Sequence, residues 1–191
     1  TEMARAIADH YGVECKEVLT GFKFIGQKIL ESEQTGKGQY LFGFEESFGY
    51  LCGTYARDKD SVSAALLISE MAAIYKAKGM TLVDALEELY KQYGYYKETL
   101  VSMTFEGLEG VAKIRSIMDE MRQNPKESYG GLKVLEVKDY SKGIDGLPRS
   151  NVLRFTLEKN SWFCVRPSGT EPKVKFYFGV KGSTAEEAQR M

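Results

Sequence analysis

The stretch Arg166-Pro167-Ser168-Gly169-Thr170-Glu171-Pro172 has the residue types that hold a phosphate. The Arg166 guanidinium offers a planar fork of donors that matches two phosphate oxygens. The hydroxyls of Ser168 and Thr170 can donate to the others, and Gly169 has no Cβ to keep an anion away. Two prolines restrict the backbone, which suits a concave nest of N–H donors. Lys175, on the strand expected to follow, shares a face with Lys173 and adds charge near the loop. Without its surroundings the same stretch is a Ser-Gly hairpin turn beside an arginine. Two further polar clusters favour the phosphate.

The first is Tyr40 to Tyr50, where an aromatic run passes abruptly into Glu45, Glu46, Ser47 and Gly49. Tyr40 to Phe44 has the composition of a buried strand. In an open α/β sheet the ligand crevice lies just past the carboxyl ends of the strands, where Glu45 to Ser47 would fall. Adjacent residues point apart, so Glu45 and Ser47 are expected to share one direction and Glu46 to take another. Carboxylates that accept from hydroxyl groups are a usual grip on a sugar. A plain solvated turn would not call for Phe44, Phe48 and Tyr50 beside these charges. The second cluster, Arg57-Asp58-Lys59-Asp60, precedes a helical pattern. It puts Arg57 and Lys59 at a helix N-terminus, where an anionic ligand is favoured. His10, the sole histidine, falls in the last turn of a helix, where it suits the dipole and has no partner for general-base work.

The elements that must position these residues follow from periodicity. Thr1 to Tyr11 reads as an amphipathic helix with Met3, Ala6 and Ile7 on one side, followed by a short strand, Val13 to Leu19. Thr20 to Lys23 is a turn, a helix runs from about Ile25 to Glu33, and Ser32 to Gly38 is a loop. Ser61 to Lys78 is a helix apolar around most of its circumference, expected to be packed on both sides. Asp60 or Ser61 is its N-cap and Gly79 its end. A second helix, from Thr81 to near Gly94, closes a first domain of residues 1–95. Tyr95 to Glu98 reads as a connector into a second domain, 96–191. There a strand, Thr99 to Phe105, precedes a helix marked by Leu108, Val111, Ile114, Met118 and Met121 and stopped by Asn124-Pro125. Leu132 to Lys138 is a strand, Ser141 to Asn151 a loop, and Val152 to Glu158 alternates as a strand covered on one face. A hairpin at Lys159-Asn160-Ser161 leads to Trp162 to Val165. After the phosphate loop Val174, Phe176 and Phe178 point inward, and a last helix starts near Ser183-Thr184.

A chain of 191 residues suits two modest domains, and 43% hydrophobic with 28% charged residues is ordinary globular composition. With 26 basic and 27 acidic side chains no global charge points to nucleic acid or membrane. Cys15, Cys52 and Cys164 lack the short spacings of metal or redox sites and read as reduced thiols of a cytoplasmic protein. No apolar run reaches membrane-spanning length, and the start resembles no signal peptide. Beginning at Thr1 within a helical pattern, the chain reads as the middle of a longer protein.

Four anchors in this order, Thr20-Gly21-Phe22-Lys23, Gly43 to Tyr50, Arg57-Asp58-Lys59-Asp60 and Arg166 to Pro172, give the whole chain a resemblance to the α-D-phosphohexomutase family. Within that family it is similar to the bacterial phosphoglucomutase and phosphomannomutase branch. The resemblance implies four domains around one cleft, of which this chain is most of the third, lacking its first strand, and nearly all of the fourth. The implied fold is an incomplete α/β mixed-sheet domain followed by a smaller domain with a largely antiparallel sheet packed on helices.

The resemblance also assigns roles. Glu45 and Ser47 contact sugar hydroxyls in either of two ligand orientations, Gly21 and Phe22 line the cleft, and Lys59, with Arg57 beside it, lies near the reacting end. Arg166, Ser168, Gly169 and Thr170, assisted by Lys175, hold the phosphate that is not transferred. The implied substrate is a hexose phosphate, glucose 1-phosphate or glucose 6-phosphate, passing through glucose 1,6-bisphosphate. The implied Mg2+ and phosphoserine belong to the first two domains. Neither loop is in this chain: His10 is followed by Tyr11, and Asp145-Gly146 by a leucine. The piece is therefore expected to have no metal site, to bind rather than catalyse, and to need the missing N-terminal domains as partners. Phe44 stands where many relatives have glycine. The paired Glu45 and Glu46 fit glucose-type mutases, with a mutase for mannose, glucosamine or pentose phosphates, or a non-catalytic sugar-phosphate-binding module, as alternatives.

Overall fold

Thr1 starts the first helix, α1 (Glu2–His10), by accepting a hydrogen bond from the Met3 N–H at 3.3 Å. Glu2 in its first turn and His10 in its last complement the helix dipole. The computed structural model describes residues 1–191, the side chain of Leu108 excepted. They form two units: Lys16–Leu89, and Thr1–Cys15 together with Tyr90–Met191. Helix α1 thus belongs with the C-terminal half, where Glu2 pairs with Arg154 at 2.5 Å. His10 meets the ring of Tyr93 edge-on with centroids 5.6 Å apart, a packing role.

In the unit of residues 16–89, helix α2 (Phe22–Thr35) ends at Gly36, whose φ of 64° is the left-handed position that terminates a helix without a Cβ clash. Its Phe22 and Ile29 form a small buried core with Leu51, flanked by Ile25, Tyr40 and Ala56. Strands β1 (Phe42–Glu45) and β2 (Gly49–Cys52) make an antiparallel hairpin. Helix α3 (Ser61–Ala77) is capped by Asp60, which accepts from the N–H groups of Val62 and Ser63. Helix α4 (Leu82–Tyr93) opens with a reciprocal cap, Thr81 N–H donating to Asp84 and Asp84 N–H to the Thr81 hydroxyl.

Three expectations fail in this unit or at its start. Val13 to Leu19 is no strand, because no neighbouring strand supplies a ladder and Val13 is exposed. Tyr40 to Phe44 is not a buried strand: β1 starts at Phe42, pairs only with β2, and leaves Phe42 and Phe44 exposed. Glu45 to Ser47 therefore belong to a hairpin end rather than to the mouth of a parallel strand. No residue of α3 is buried, although its apolar circumference suits cover on both sides. Val62, Leu66 and Ile74 are all more than half exposed.

The other unit carries a six-stranded antiparallel sheet. Its strands are β3 (Tyr95–Thr104), β4 (Ser128–Tyr129), β5 (Leu132–Asp139), β6 (Leu153–Leu157), β7 (Ser161–Pro167) and β8 (Lys173–Gly182), in the order β3-β8-β7-β6-β5-β4. Helix α5 (Gly107–Gln123) packs Ile114 and Met118 onto Leu153, Phe155, Leu157, Phe163, Val165 and Val174. The strict alternation of buried residues along β6 and β7 leaves their other face to Arg154, Trp162, Cys164 and Arg166. Lys159 and Asn160 join these strands with φ of 56° and 53°, the two left-handed positions of a tight hairpin. Helix α6 (Ala185–Arg190) is capped by Thr184.

Tyr95 to Glu98 is not a connector but the first part of β3, because Tyr95 finds Gly182 and Glu98 finds Gly179 across the ladder. Phe178 is 36% exposed, reaching the core margin by stacking on Phe163 and Phe176 rather than filling the core. The expectation that Leu108 marks the face of α5 lies outside the described residues, since its side chain is not described.

Candidate functional site

The hairpin of β1 and β2 brings three of the expected sugar-site residues together. Glu45, the last residue of β1, is only 11% exposed, and its Oε1 lies 3.6 Å from Lys59 Nζ. Lys59 Nζ is also 3.2 Å from Asp58 Oδ1 and 5.8 Å from the centroid of the Phe22 ring. Phe22 is delivered by Gly21, which starts α2 at a φ of 121° open to glycine. The Asp58 carboxylate, then Glu45, keeps the Lys59 ammonium protonated above its usual range, and the Lys59 N–H and ammonium hold Asp58 below the carboxylate range. A carboxylate shielded from solvent beside an ammonium offers one acceptor and one donor, the pair that a sugar hydroxyl satisfies by donating to one and accepting from the other.

Glu46, Ser47 and Phe48 form the three-residue turn and are exposed. Phe48 has a φ of 61° and is 86% exposed. Holding a bulky residue there costs about 1 kcal/mol or more. Gly49 is what lets Glu45 and Lys59 close over the hairpin: a Cβ on it would stand 2.8 Å from both Glu45 Oε1 and Lys59 Cδ.

The region before α3 departs from expectation. Arg57 does not open onto a free helix N-terminus. Its guanidinium donates to Glu33 Oε2 at 2.5 Å and to the Thr54 and Ala56 carbonyls at 2.5 and 3.3 Å. The N–H groups of Val62 and Ser63 already donate to Asp60, at 3.1 and 3.0 Å. They are not available to an anionic ligand. The Tyr55 hydroxyl also donates to Asp60, and this bond, ahead of those from Ser63 and Val62, holds the Asp60 carboxyl down to about 2.

The loop from Arg166 to Pro172 joins β7 to β8. Thr170 and Glu171 N–H groups converge on Ser168 Oγ at 3.4 and 3.3 Å, and Ser168 N–H donates to the Lys173 carbonyl at 2.8 Å. The two bonds to Ser168 Oγ are long, and they bring two N–H groups of the loop onto one oxygen. Lys173 Nζ pairs with Glu171 at 2.8 Å and holds that carboxyl below its usual range. Arg166 lies directly across the ladder from Lys175 on the face away from the core. The Arg166 guanidinium has no hydrogen bond or ion pair among the described residues.

On the opposite, α5 side, the loop borders a cavity of about 550 Å³ reached by Arg115, Asp119, Arg122 and Asn151. Arg122 is engaged by Asp139 at 3.1 Å and Asn151 at 2.8 Å. Arg115 and Arg122 were missed by motif reading, yet their seven-residue spacing, two helical turns, puts them on one face of α5. Also missed were Glu33 and Gly26 of α2, which carry no motif and declare themselves only through contact with Arg57.

Among the described residues no three His, Cys, Asp or Glu side chains gather as a group that could hold a metal ion. No helix among the described residues is long and apolar enough to cross a membrane.

Residues 1–93 match the family model for phosphoglucomutase/phosphomannomutase, alpha/beta/alpha domain III, and residues 100–191 match that for the phosphoglucomutase/phosphomannomutase C-terminal domain. The chain belongs to the phosphoglucomutase/phosphomannomutase family. It is 42% identical over 193 residues to a phosphoglucomutase of Staphylococcus aureus strain MRSA252, covering 95% of this chain and 34% of that protein. It is 38% identical over 200 residues to a phosphoglucomutase of Staphylococcus haemolyticus, covering 99% of this chain and 36% of that protein. The chain thus spans about a third of the length of these phosphoglucomutases. Its fold is similar to a crystal structure of the Paramecium exocytosis-sensitive phosphoprotein pp63/parafusin, a phosphoglucomutase, in an open form. The TM-score is 0.68 at 22% identity, over 95% of this chain and 32% of that one.

Proposed function

We propose that this chain is the substrate-holding part of an enzyme that interconverts glucose 1-phosphate and glucose 6-phosphate. Glu45 and Ser47 take sugar hydroxyls, with Gly21, Phe22 and Lys59 around them. Arg166, Ser168, Gly169, Thr170 and Lys175 hold the phosphate that stays in place. The observation that carries the reading is the Arg166 guanidinium, opposite Lys175 and without a hydrogen bond or ion pair among the described residues, in a loop whose N–H groups converge on one oxygen. A dianionic phosphate would give the Arg166 guanidinium the counter-ion it lacks within the chain, Lys175 would add charge, and Arg166 supplies the fork that orients the anion.

In the intact protein the opposite end of the sugar meets a phosphoserine, and turnover of a bound bisphosphate lets each end react in turn. Mg2+, where the intact protein binds it, would supply charge neutralisation to the transferred phosphoryl group and would be held outside these two domains. The site of action is the cytoplasm, where hexose phosphates are found, and the isolated 191-residue piece binds without turning over. The assigned sugar is glucose, in keeping with the phosphoglucomutase relatives. Side-by-side turnover of glucose 1-phosphate, mannose 1-phosphate, glucosamine 1-phosphate and ribose 1-phosphate by the intact protein tests this. Glucose 1-phosphate is expected to be turned over with the highest kcat/KM. Preference for another sugar would replace the assigned substrate, and no turnover of any would leave a binding module.

A further inference from the structure

We infer that Arg57 is a positioning residue, and that Glu33 and Gly26 of α2 form with it a brace for the loop that carries Lys59. One guanidinium ties three places together: Glu33 on α2 at 2.5 Å, and the Thr54 and Ala56 carbonyls within the loop at 2.5 and 3.3 Å. A second contact, independent of that ion pair, holds the backbone of the same residue. A Cβ at Gly26 would lie 2.6 Å from the Arg57 carbonyl oxygen, so α2 approaches this loop as closely as only glycine permits. Residues 26 and 33 are seven apart, two turns on one helix face, so α2 presents a gap for the Arg57 backbone and a carboxylate for its side chain.

The brace matters through what it holds. Lys59 follows Arg57 by two residues, and its ammonium sits between Glu45 of the hairpin and the ring of Phe22, which is itself on α2. The Arg57 and Glu33 side chains are each 43% exposed. An exposed pair of this kind adds little to folding stability, so its effect is expected in geometry rather than in melting temperature. With the brace removed, the loop moves relative to α2, and the spacing of Lys59 to Glu45 and Phe22 is no longer set. The kinetic consequence rests on the substrate reading proposed above; the structural one does not.

The test uses the intact protein with Glu33→Gln, Glu33→Asp and Gly26→Ala, followed by amide exchange of residues 54–59 and by steady-state kinetics with glucose 1-phosphate. Glu33→Gln is expected to speed exchange across 54–59 and to raise KM about tenfold with kcat changed less than about twofold, the pattern of lost uniform binding. Glu33→Asp restores part of both effects. Gly26→Ala acts in the same direction and more strongly, because the new Cβ meets a backbone carbonyl. Unchanged exchange at 54–59 in Glu33→Gln overturns the brace, as does a rise in KM that follows a fall in melting temperature. If Gly26→Ala does not fold, the two Glu33 variants decide the matter. An intact parent protein that turns over no hexose phosphate defeats the substrate reading, while the exchange measurement still judges the brace.

Discussion

Arg166→Ala should weaken sugar-phosphate binding while leaving the fold as stable as before. The two halves of this prediction come from the same contacts. Among the described residues the guanidinium touches no carboxylate or carbonyl, so its removal breaks no bond within the chain. Its neighbour across the ladder is Lys175. Like charges directly opposite on a sheet are mildly unfavourable, so the substitution takes no stabilising contact from the fold. Binding loses a charge-assisted hydrogen bond, about 1.5–3 kcal/mol, which is roughly 10- to 150-fold in Kd. Titration calorimetry of the intact protein with glucose 6-phosphate at fixed ionic strength, beside a thermal melt, reads both. Arg166→Lys should fall between the parent and alanine, since it keeps the charge and loses the planar fork. An alanine variant that binds within about twofold of the parent would refute the reasoning. So would a clear drop in melting temperature, which would make Arg166 a structural residue.

Three further outcomes follow from the same geometry. Gly49→Ala places a Cβ 2.8 Å from Glu45 Oε1 and Lys59 Cδ, where ordinary contact begins at 3.4 Å. Each must retreat by about 0.6 Å, and selectivity among hexose phosphates should narrow; unchanged selectivity removes the hairpin from the sugar site. Phe155→Ala empties a fully buried position whose ring stacks on Phe163 at 4.4 Å, and urea unfolding should show a loss of about 3–5 kcal/mol. A loss under about 1 kcal/mol would mean that the core is not packed as described. Asp60 has a folded-state pKa of about 2, below the unfolded value of about 3.9, so its cap on α3 is fully effective above that unfolded value and is lost as pH falls towards 2. Protection of the Val62 and Ser63 amides, taken relative to intrinsic exchange at each pH, should fall across that window, and Asp60→Asn, which caps without charge, should remove that loss of protection.

Much of this was legible in the residues themselves. Lys159-Asn160 announced a tight hairpin because few residues tolerate two successive left-handed positions, and the alternation of Leu153, Phe155 and Leu157 announced a sheet covered on one face. Asp60 and Gly79 bounded α3 because caps are local chemistry. What escaped depends on partners distant in the chain. Tyr95 to Glu98 looks like a linker until β8 supplies its ladder partners. The apolar circumference of α3 says that the helix suits cover and cannot say what covers it. At the site, Glu45 and Lys59 were visible by type. That Arg57 turns to Glu33 was not, since the two are 24 residues apart and an arginine before a helix reads equally as a ligand contact.

The most direct test of the account is a nuclear magnetic resonance titration of the 15N-labelled chain with inorganic phosphate, glucose and glucose 6-phosphate in turn. Inorganic phosphate is predicted to shift the amides of Ser168, Gly169 and Thr170, glucose alone to leave them in place, and glucose 6-phosphate to shift both these and the turn amides of Glu46 and Ser47. Phosphate-induced shifts that appear elsewhere and leave residues 168–170 unmoved would contradict the assignment of this loop as the phosphate anchor.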